Sequence, residues 1–365
     1  MIRILYITRA RLSFSRGHNQ NILKTAETIS KEGERSVRVA SCAAEQSSAE
    51  EILRIKEVSP VFQLDVTERK RNAFWYCVQN RHAYDLLYFR DPYLWYVAYI
   101  MRYIFGKKVV FEIHGSHEWK YQQIVWFLAH GAAHGAIFIT RALCDYYHTK
   151  KPSVIAPCYG IAFDQFRVSE SIDTLRDRMF LPRDCILVMY LGSLLWYSMD
   201  ILIDMMRFLP QNMVLIIAGA KEEEQPALRA RARERGVADR VFIHGRVLHH
   251  DVASYLCAAD ILVNPLAITY PGSISAKLYE YLAAGKPIVS SRGGANAEII
   301  THEKNGLLAP LTARDFANAV LRIQHDPPFA LTLATHARQD AAQYTWKARA
   351  DVIASFLHGI ISIKN

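Results

Sequence analysis

Short apolar runs separated by helix-length amphipathic stretches recur along the whole chain. Ile2–Thr8, Leu86–Phe89, Lys108–Ile113 and Ala136–Ile139 are nearly continuous in apolar residues rather than alternating. That is the pattern of parallel strands buried on both faces, with crossover helices between them. Charges and Pro182 interrupt the periodicity over residues 161–183. It then restarts at Ile186–Leu191 and continues through Val214–Ala218, Arg240–His244, Ile261–Val263 and Pro287–Ser290. Two doubly wound α/β halves account for this more economically than one very wide sheet, as does a length of 365 residues. The expected division is residues 1–165 and residues 166–345, each Rossmann-like.

Composition changes this picture little. Hydrophobic residues make up 51% and charged residues 22%, an ordinary globular balance. Six cysteines at 42, 77, 144, 158, 185 and 257 form no C-x-x-C pair, so they read as reduced thiols of a cytoplasmic protein rather than a disulfide frame or zinc site. Because Ile2–Thr8 already reads as a first strand, no secretory leader is expected ahead of it. Residues 121–140 carry no Lys, Arg, Asp or Glu, yet their glutamines, histidines and glycines favour a helix ending near Gly131 and a following strand over a membrane span.

Charge is more informative. The net of +9 is 44 basic minus 35 acidic residues; residues 1–165 hold 22 and 15, leaving 22 and 20 for the remainder. The excess therefore sits in the first half, where it suits an anionic lipid or a phosphate-bearing substrate. Arg69–Arg71 followed by the aromatics Phe74–Tyr76 fits either an anionic bilayer or a surface helix with its aromatics turned inward. No nucleic-acid motif accompanies the charge.

In open parallel sheets, ligands sit outside the carboxyl ends of the strands. The residues to examine are therefore Thr8–Asn19, Arg90-Asp91 and His114-Gly115 in the first half. In the second they are Gly192-Ser193, Gly219, Gly245-Arg246, Asn264-Pro265 and Ser290–Gly294. Neither G-x-G-x-x-G nor a P-loop occurs. One stretch carries distinctive chemistry. Pro271-Gly272-Ser273 leads into a predicted helix with Lys277 and Glu280 three apart, and Gly285-Lys286-Pro287 ends it. Residues Gly272–Ala276 would present N–H groups to an anion, Lys277 a full charge, and Glu280 a carboxylate on the same face. A surface ion pair is the plainer reading of the pair alone.

Ser275–Val289 resembles the donor-site segment of the retaining glycosyltransferases of family 4, which have the GT-B fold. Asp239–Val247, Val252–Tyr255 and Ala259–Pro265 are similar to that family's run into the site, and Gly293-Gly294, Glu298 and Asn305–Leu308 to its run out. Phe111–His114 resembles the strand that ends in its active-site histidine. The resemblance implies two Rossmann-like domains facing a cleft, with the C-terminal helix 346–365 joining the first. It also implies transfer of a hexose or related sugar from a nucleotide-diphosphate sugar with retention of configuration, to a saccharide or lipid-linked acceptor held mainly by the first half.

By motif position, Glu280 would bind the ribose, and Lys277 with the N–H groups of Ser273, Ile274 and Ser275 would stabilise the leaving diphosphate. Backbone at Arg246 and Val247 would hold the base, His114 would contact the sugar, and Gly17 would approach the diphosphate; Gly192 and Ser193 complete the donor set. No D-x-D motif occurs, so no metal or other cofactor is expected. Two departures stand out. Gly272 occupies the place of the family's first glutamate. Leu194–Asp200 lacks the family's Arg and Lys, which throws phosphate charge onto Lys277, helped by Arg16 or Arg246. The resemblance implies cell-surface polysaccharide or glycolipid biosynthesis, while the cysteines point to the cytoplasm and the basic first half to the inner face of the plasma membrane. A sugar-nucleotide epimerase, a phosphorylase or a non-catalytic sugar-nucleotide binder on the same fold is the alternative.

Overall fold

The computed structural model describes residues 1–13, 17–31, 35–115, 120–167, 170–268, 270 and 272–363. It divides into two compact units, Met1–Gly160 with Trp346–Asn365, and Ile161–Thr345.

The first unit is built on seven strands, β1 (Ile2–Thr8), β2 (Arg35–Ser41), β3 (Gln63–Asp65), β4 (Leu86–Phe89), β5 (Lys108–Ile113), β6 (Gly135–Phe138) and β7 (Ser153–Ile155). Their spatial order is β3-β2-β1-β4-β5-β6-β7, and every described pairing is parallel. Successive side chains point to opposite faces, and both faces are covered. Ile4, Tyr6, Tyr88 and Val110 pack with Ile353 and Leu357 of the helix Trp346–Ser362, whereas Leu5, Ile7, Phe89 and Phe111 pack with Val97, Met101 and Ala129. Double burial explains the unbroken apolar runs.

The second unit carries six strands, β8 (Ile186–Leu191), β9 (Met213–Ala218), β10 (Val241–His244), β11 (Ile261–Asn264), β12 (Ile288–Ser291) and β13 (Leu307–Ala309), in the order β10-β9-β8-β11-β12-β13. These pairings are parallel as well. In each sheet the chain starts in the middle, winds to one edge and returns to continue on the other side. The order thus reverses between β1 and β4 in the first sheet, and between β8 and β11 in the second, creating a crevice at the carboxyl ends.

The apolar stretch 121–140 is divided between the helix Lys120–Ala132 and β6, and no described helix is long and apolar enough to cross a membrane. All six cysteines are free.

Candidate functional site

Close backbone packing shapes the carboxyl end of the second sheet. Gly192 follows β8 with φ +142° and Gly219 follows β9 with φ +103°; a Cβ on Gly219 would lie 2.5 Å from the Gly192 carbonyl oxygen. Only glycine relieves both the dihedral and the contact. A Cβ on Gly192 would in turn lie 2.9 Å from Lys277 Nζ. The lysine therefore reaches the switch point of this sheet from the helix Lys277–Ala284.

Its ammonium is held by aromatic groups. Nζ donates to the Tyr190 hydroxyl at 2.5 Å and lies 4.2 Å and 3.3 Å from the ring centroids of Tyr190 and Tyr197. Tyr190 donates onward to the Ser193 carbonyl. Burial depresses the Lys277 ammonium well below the usual lysine range, with Glu280 pulling the other way. Glu280 lies within electrostatic reach of Lys277 and is partly exposed.

The helix begins later than its sequence suggests. Gly272–Ala276 form a loop, and Lys277 is the first helical residue. A buried polar network pins that loop. Ser275 N–H donates to Asn296 Oδ1 (3.2 Å), Ser275 Oγ donates to Asn264 Oδ1 (2.8 Å) and Asn264 and Asn296 both donate to Ser290 Oγ. Ser273 N–H turns back to the Tyr270 carbonyl at 3.0 Å, and Ser273 O accepts from Ala295 N–H. The expected N–H donors at Ser273 and Ser275 are thus engaged within the fold; Ile274 and Ala276 N–H make no hydrogen bond among the described residues. Gly272, buried, has φ +78°, so a glutamate there would adopt a strained left-handed backbone. Arg246 is exposed and Val247 half-buried just past β10, while Pro271 and Arg16 lie outside the described residues.

In the first unit, Gly17 opens the helix Gly17–Lys31 after β1. His114 stands one residue beyond β5, where sequence spacing already sets it on the same face as Glu112. Its Nε2 meets Glu112 Oε1 at 2.8 Å and its Nδ1 meets an Arg90 Nη at 3.1 Å. Arginine can only donate, so Nδ1 is the acceptor and Nε2 carries the proton given to Glu112. Both ring nitrogens are engaged here, which leaves His114 neither a free base nor a free N–H donor in this arrangement. Glu112 is fully buried and also accepts from Tyr88 Oη (2.6 Å) and Arg349 Nη2 (2.5 Å). Burial alone would raise its pKa, but Arg349, His114 and Arg90 hold it well below the carboxylate range.

Burial first, then the Arg90 charge, lowers His114 from 6.5 to about 4. Between those two values the unfolded chain binds a proton that the folded chain refuses, so stability is complete above pH 6.5 and falls as pH drops toward 4. In denaturant titrations, His114→Asn is expected to lose less stability over that interval than the native chain, by about 2–3 kcal/mol. Equal slopes for the two proteins would contradict a neutral, half-buried His114.

Sequence reasoning pointed to Arg90 by its place after a strand, but missed Tyr190, Tyr197, Asn296 and Arg349. A lone glutamate inside the apolar β5 run was the available signal for Glu112. Among the described residues, no group of three or more His, Cys, Asp or Glu is placed to hold a metal ion.

Residues 186–326 match the family described as Glycosyl transferases group 1. A D-inositol 3-phosphate glycosyltransferase of Xylanimonas cellulosilytica is 29% identical over 180 residues, 47% of this chain and 42% of that protein. A GDP-mannose-dependent alpha-(1-6)-phosphatidylinositol monomannoside mannosyltransferase of Mycobacterium tuberculosis is 28% identical over 152 residues, 40% of this chain and 39% of that one. The matched stretches thus span less than half of these relatives. The crystal structure of Anabaena Alr3699/HepE in complex with UDP-glucose superposes with a TM-score of 0.79 at 20% identity, covering 98% of this chain and 100% of that one. The chain therefore has the fold of GT-B glycosyltransferases, and its residues 186–326 match the group 1 family.

Proposed function

We propose that the protein is a retaining glycosyltransferase of the family 4 type, which transfers a hexose or related sugar from a nucleotide-diphosphate sugar to a saccharide or lipid-linked acceptor. The observation that carries the reading is Lys277 reaching beneath Gly192 at the switch point of the second sheet, with Glu280 one helical turn on. In this reading the diphosphate lies against Gly192 and Ser193 and accepts hydrogen bonds from Ile274 and Ala276 N–H. Lys277 leaves its two tyrosines to neutralise the oxygens that gain charge as the glycosidic bond to phosphate breaks. Glu280 accepts from the ribose hydroxyls, and the backbone at Arg246 and Val247 flanks the base. Preorganised N–H groups and one cation suffice to stabilise such a leaving group, so no metal ion is invoked. The acceptor is recognised by the first unit, whose excess positive charge suits cell-surface polysaccharide or glycolipid assembly at the inner face of the plasma membrane.

Release of nucleotide diphosphate measured with and without candidate acceptors tests this reading. Acceptor-dependent release is expected. Release that ignores the acceptor, or binding without turnover across UDP-, GDP- and ADP-sugars with every acceptor, would favour an epimerase or a non-catalytic binder instead.

A further inference from the structure

A cavity of about 430 Å³ opens in the first unit, lined by Arg9, Arg11, Lys70, Arg71, Leu94 and Tyr96 among others. That volume is typical of small-molecule sites. Arg9 follows β1, and Leu94 ends the short helical turn Pro92–Leu94 after β4, so the cavity occupies the switch point of the first sheet. Four cations line it and, among the described residues, no acidic side chain does. Asp91 answers one of them by pairing with Arg9, which also lies 5.4 Å over the Tyr93 ring.

Lys70 and Arg71 are less fully answered. Lys70 is exposed and has no hydrogen bond or ion pair among the described residues. Arg71 is pinned by its stack on Tyr76 at 4.6 Å and by backbone N–H donation to Cys42 O at 3.0 Å, yet its Nη1 is buried without a hydrogen-bond partner. A buried guanidinium N–H without an acceptor is costly, and an oxyanion arriving in the cavity would supply one. Cys42, which also lines the cavity, has its thiol pushed up by burial to about 11 despite the nearby Arg71 and Arg9, so it presents a neutral wall. Leu94 and Tyr96 add an apolar side against which a sugar ring can pack.

We propose that this cavity seats a phosphate group carried by the acceptor. The inference rests on the glycosyl-transfer reading for the word acceptor, but not for the anion site itself. Arg71 Nη1, beside Arg11 and Lys70, matches the oxygens of a phosphate ester or diphosphate better than a neutral saccharide.

Hydrogen exchange of the full chain, read by mass spectrometry, separates the two questions. Inorganic pyrophosphate is expected to slow exchange in the segments around Arg9–Leu12 and Thr67–Ala73. Lys70→Glu, at an exposed position that leaves the fold intact, and Arg71→Gln are each expected to weaken that effect about tenfold. Vesicles of phosphatidylglycerol with phosphatidylcholine, compared with phosphatidylcholine alone, form the second arm. Slowing by the anionic vesicles but not by pyrophosphate assigns the phosphate to a lipid headgroup, and slowing by pyrophosphate assigns it to a free phosphorylated acceptor. No slowing in these segments by either probe, or slowing retained in Lys70→Glu and Arg71→Gln, overturns the proposal. Slowing by a sugar nucleotide around Gly272–Ala284 is read separately, so failure of the donor site is not confused with failure of this one.

Discussion

Arg349→Met is expected to destabilise the protein by about 3–5 kcal/mol, because it strands the Glu112 carboxylate in the interior without its strongest partner. Both side chains are almost completely buried, at 1% and 0% exposure, and their charged atoms lie 2.5 Å apart. Arg349 also donates to Thr25 Oγ1 and to the Pro157 carbonyl, which ties the C-terminal helix to the body of the first unit. The predicted loss is large against a typical total of about 5–15 kcal/mol. Replacing both partners with apolar residues, Glu112→Leu with Arg349→Met, should recover much of it, since no buried charge is then left alone. Urea denaturation of the two single variants and the double variant measures the coupling. A loss below about 1 kcal/mol in Arg349→Met would mean that water reaches the pair.

Lys277→Met is expected to lower turnover by about a hundred- to a thousandfold, the usual effect of removing one donor aimed at developing charge. Its stability should be unchanged or slightly raised. Methionine fills the space between Tyr190 and Tyr197 and carries no polar head for their rings to desolvate. That split between activity and stability separates a catalytic cation from a structural one. Glu280→Gln should act mainly through weaker donor binding, seen as a raised KM with a smaller change in kcat. If Lys277→Met kept full turnover, or if it unfolded the protein, the catalytic assignment would fail.

The fold was legible wherever a strand is buried on both faces. β4, β5 and β8 occupy the residues that apolar continuity predicts, because neither face needs polar side chains. β2 escaped notice because Arg35 and Arg38 break its run while its buried residues fall on later positions, and β3, β7 and β13 are edge strands of three residues each. The candidate site divides in the same way. Lys277 and Glu280 were visible by spacing on one helix face, since that relation is local. The capture of Ser275 N–H by Asn296, 21 residues away, was not, and neither was the bond from Arg349 to Glu112 across 237 residues. Local periodicity contains no term for either contact. The same limit explains why a helix expected to open beside Gly272 begins at Lys277, since long-range side-chain acceptors hold the intervening loop in another conformation.

The most direct measurement is a crystal structure of the full chain with the sugar nucleotide that most raises its melting temperature. Diphosphate oxygens are expected against Gly192, within hydrogen-bond distance of Lys277 Nζ, with the ammonium withdrawn from the Tyr190 and Tyr197 rings and the ribose hydroxyls on Glu280. A nucleotide bound anywhere else, with Lys277 still enclosed by its tyrosines, would contradict that expectation.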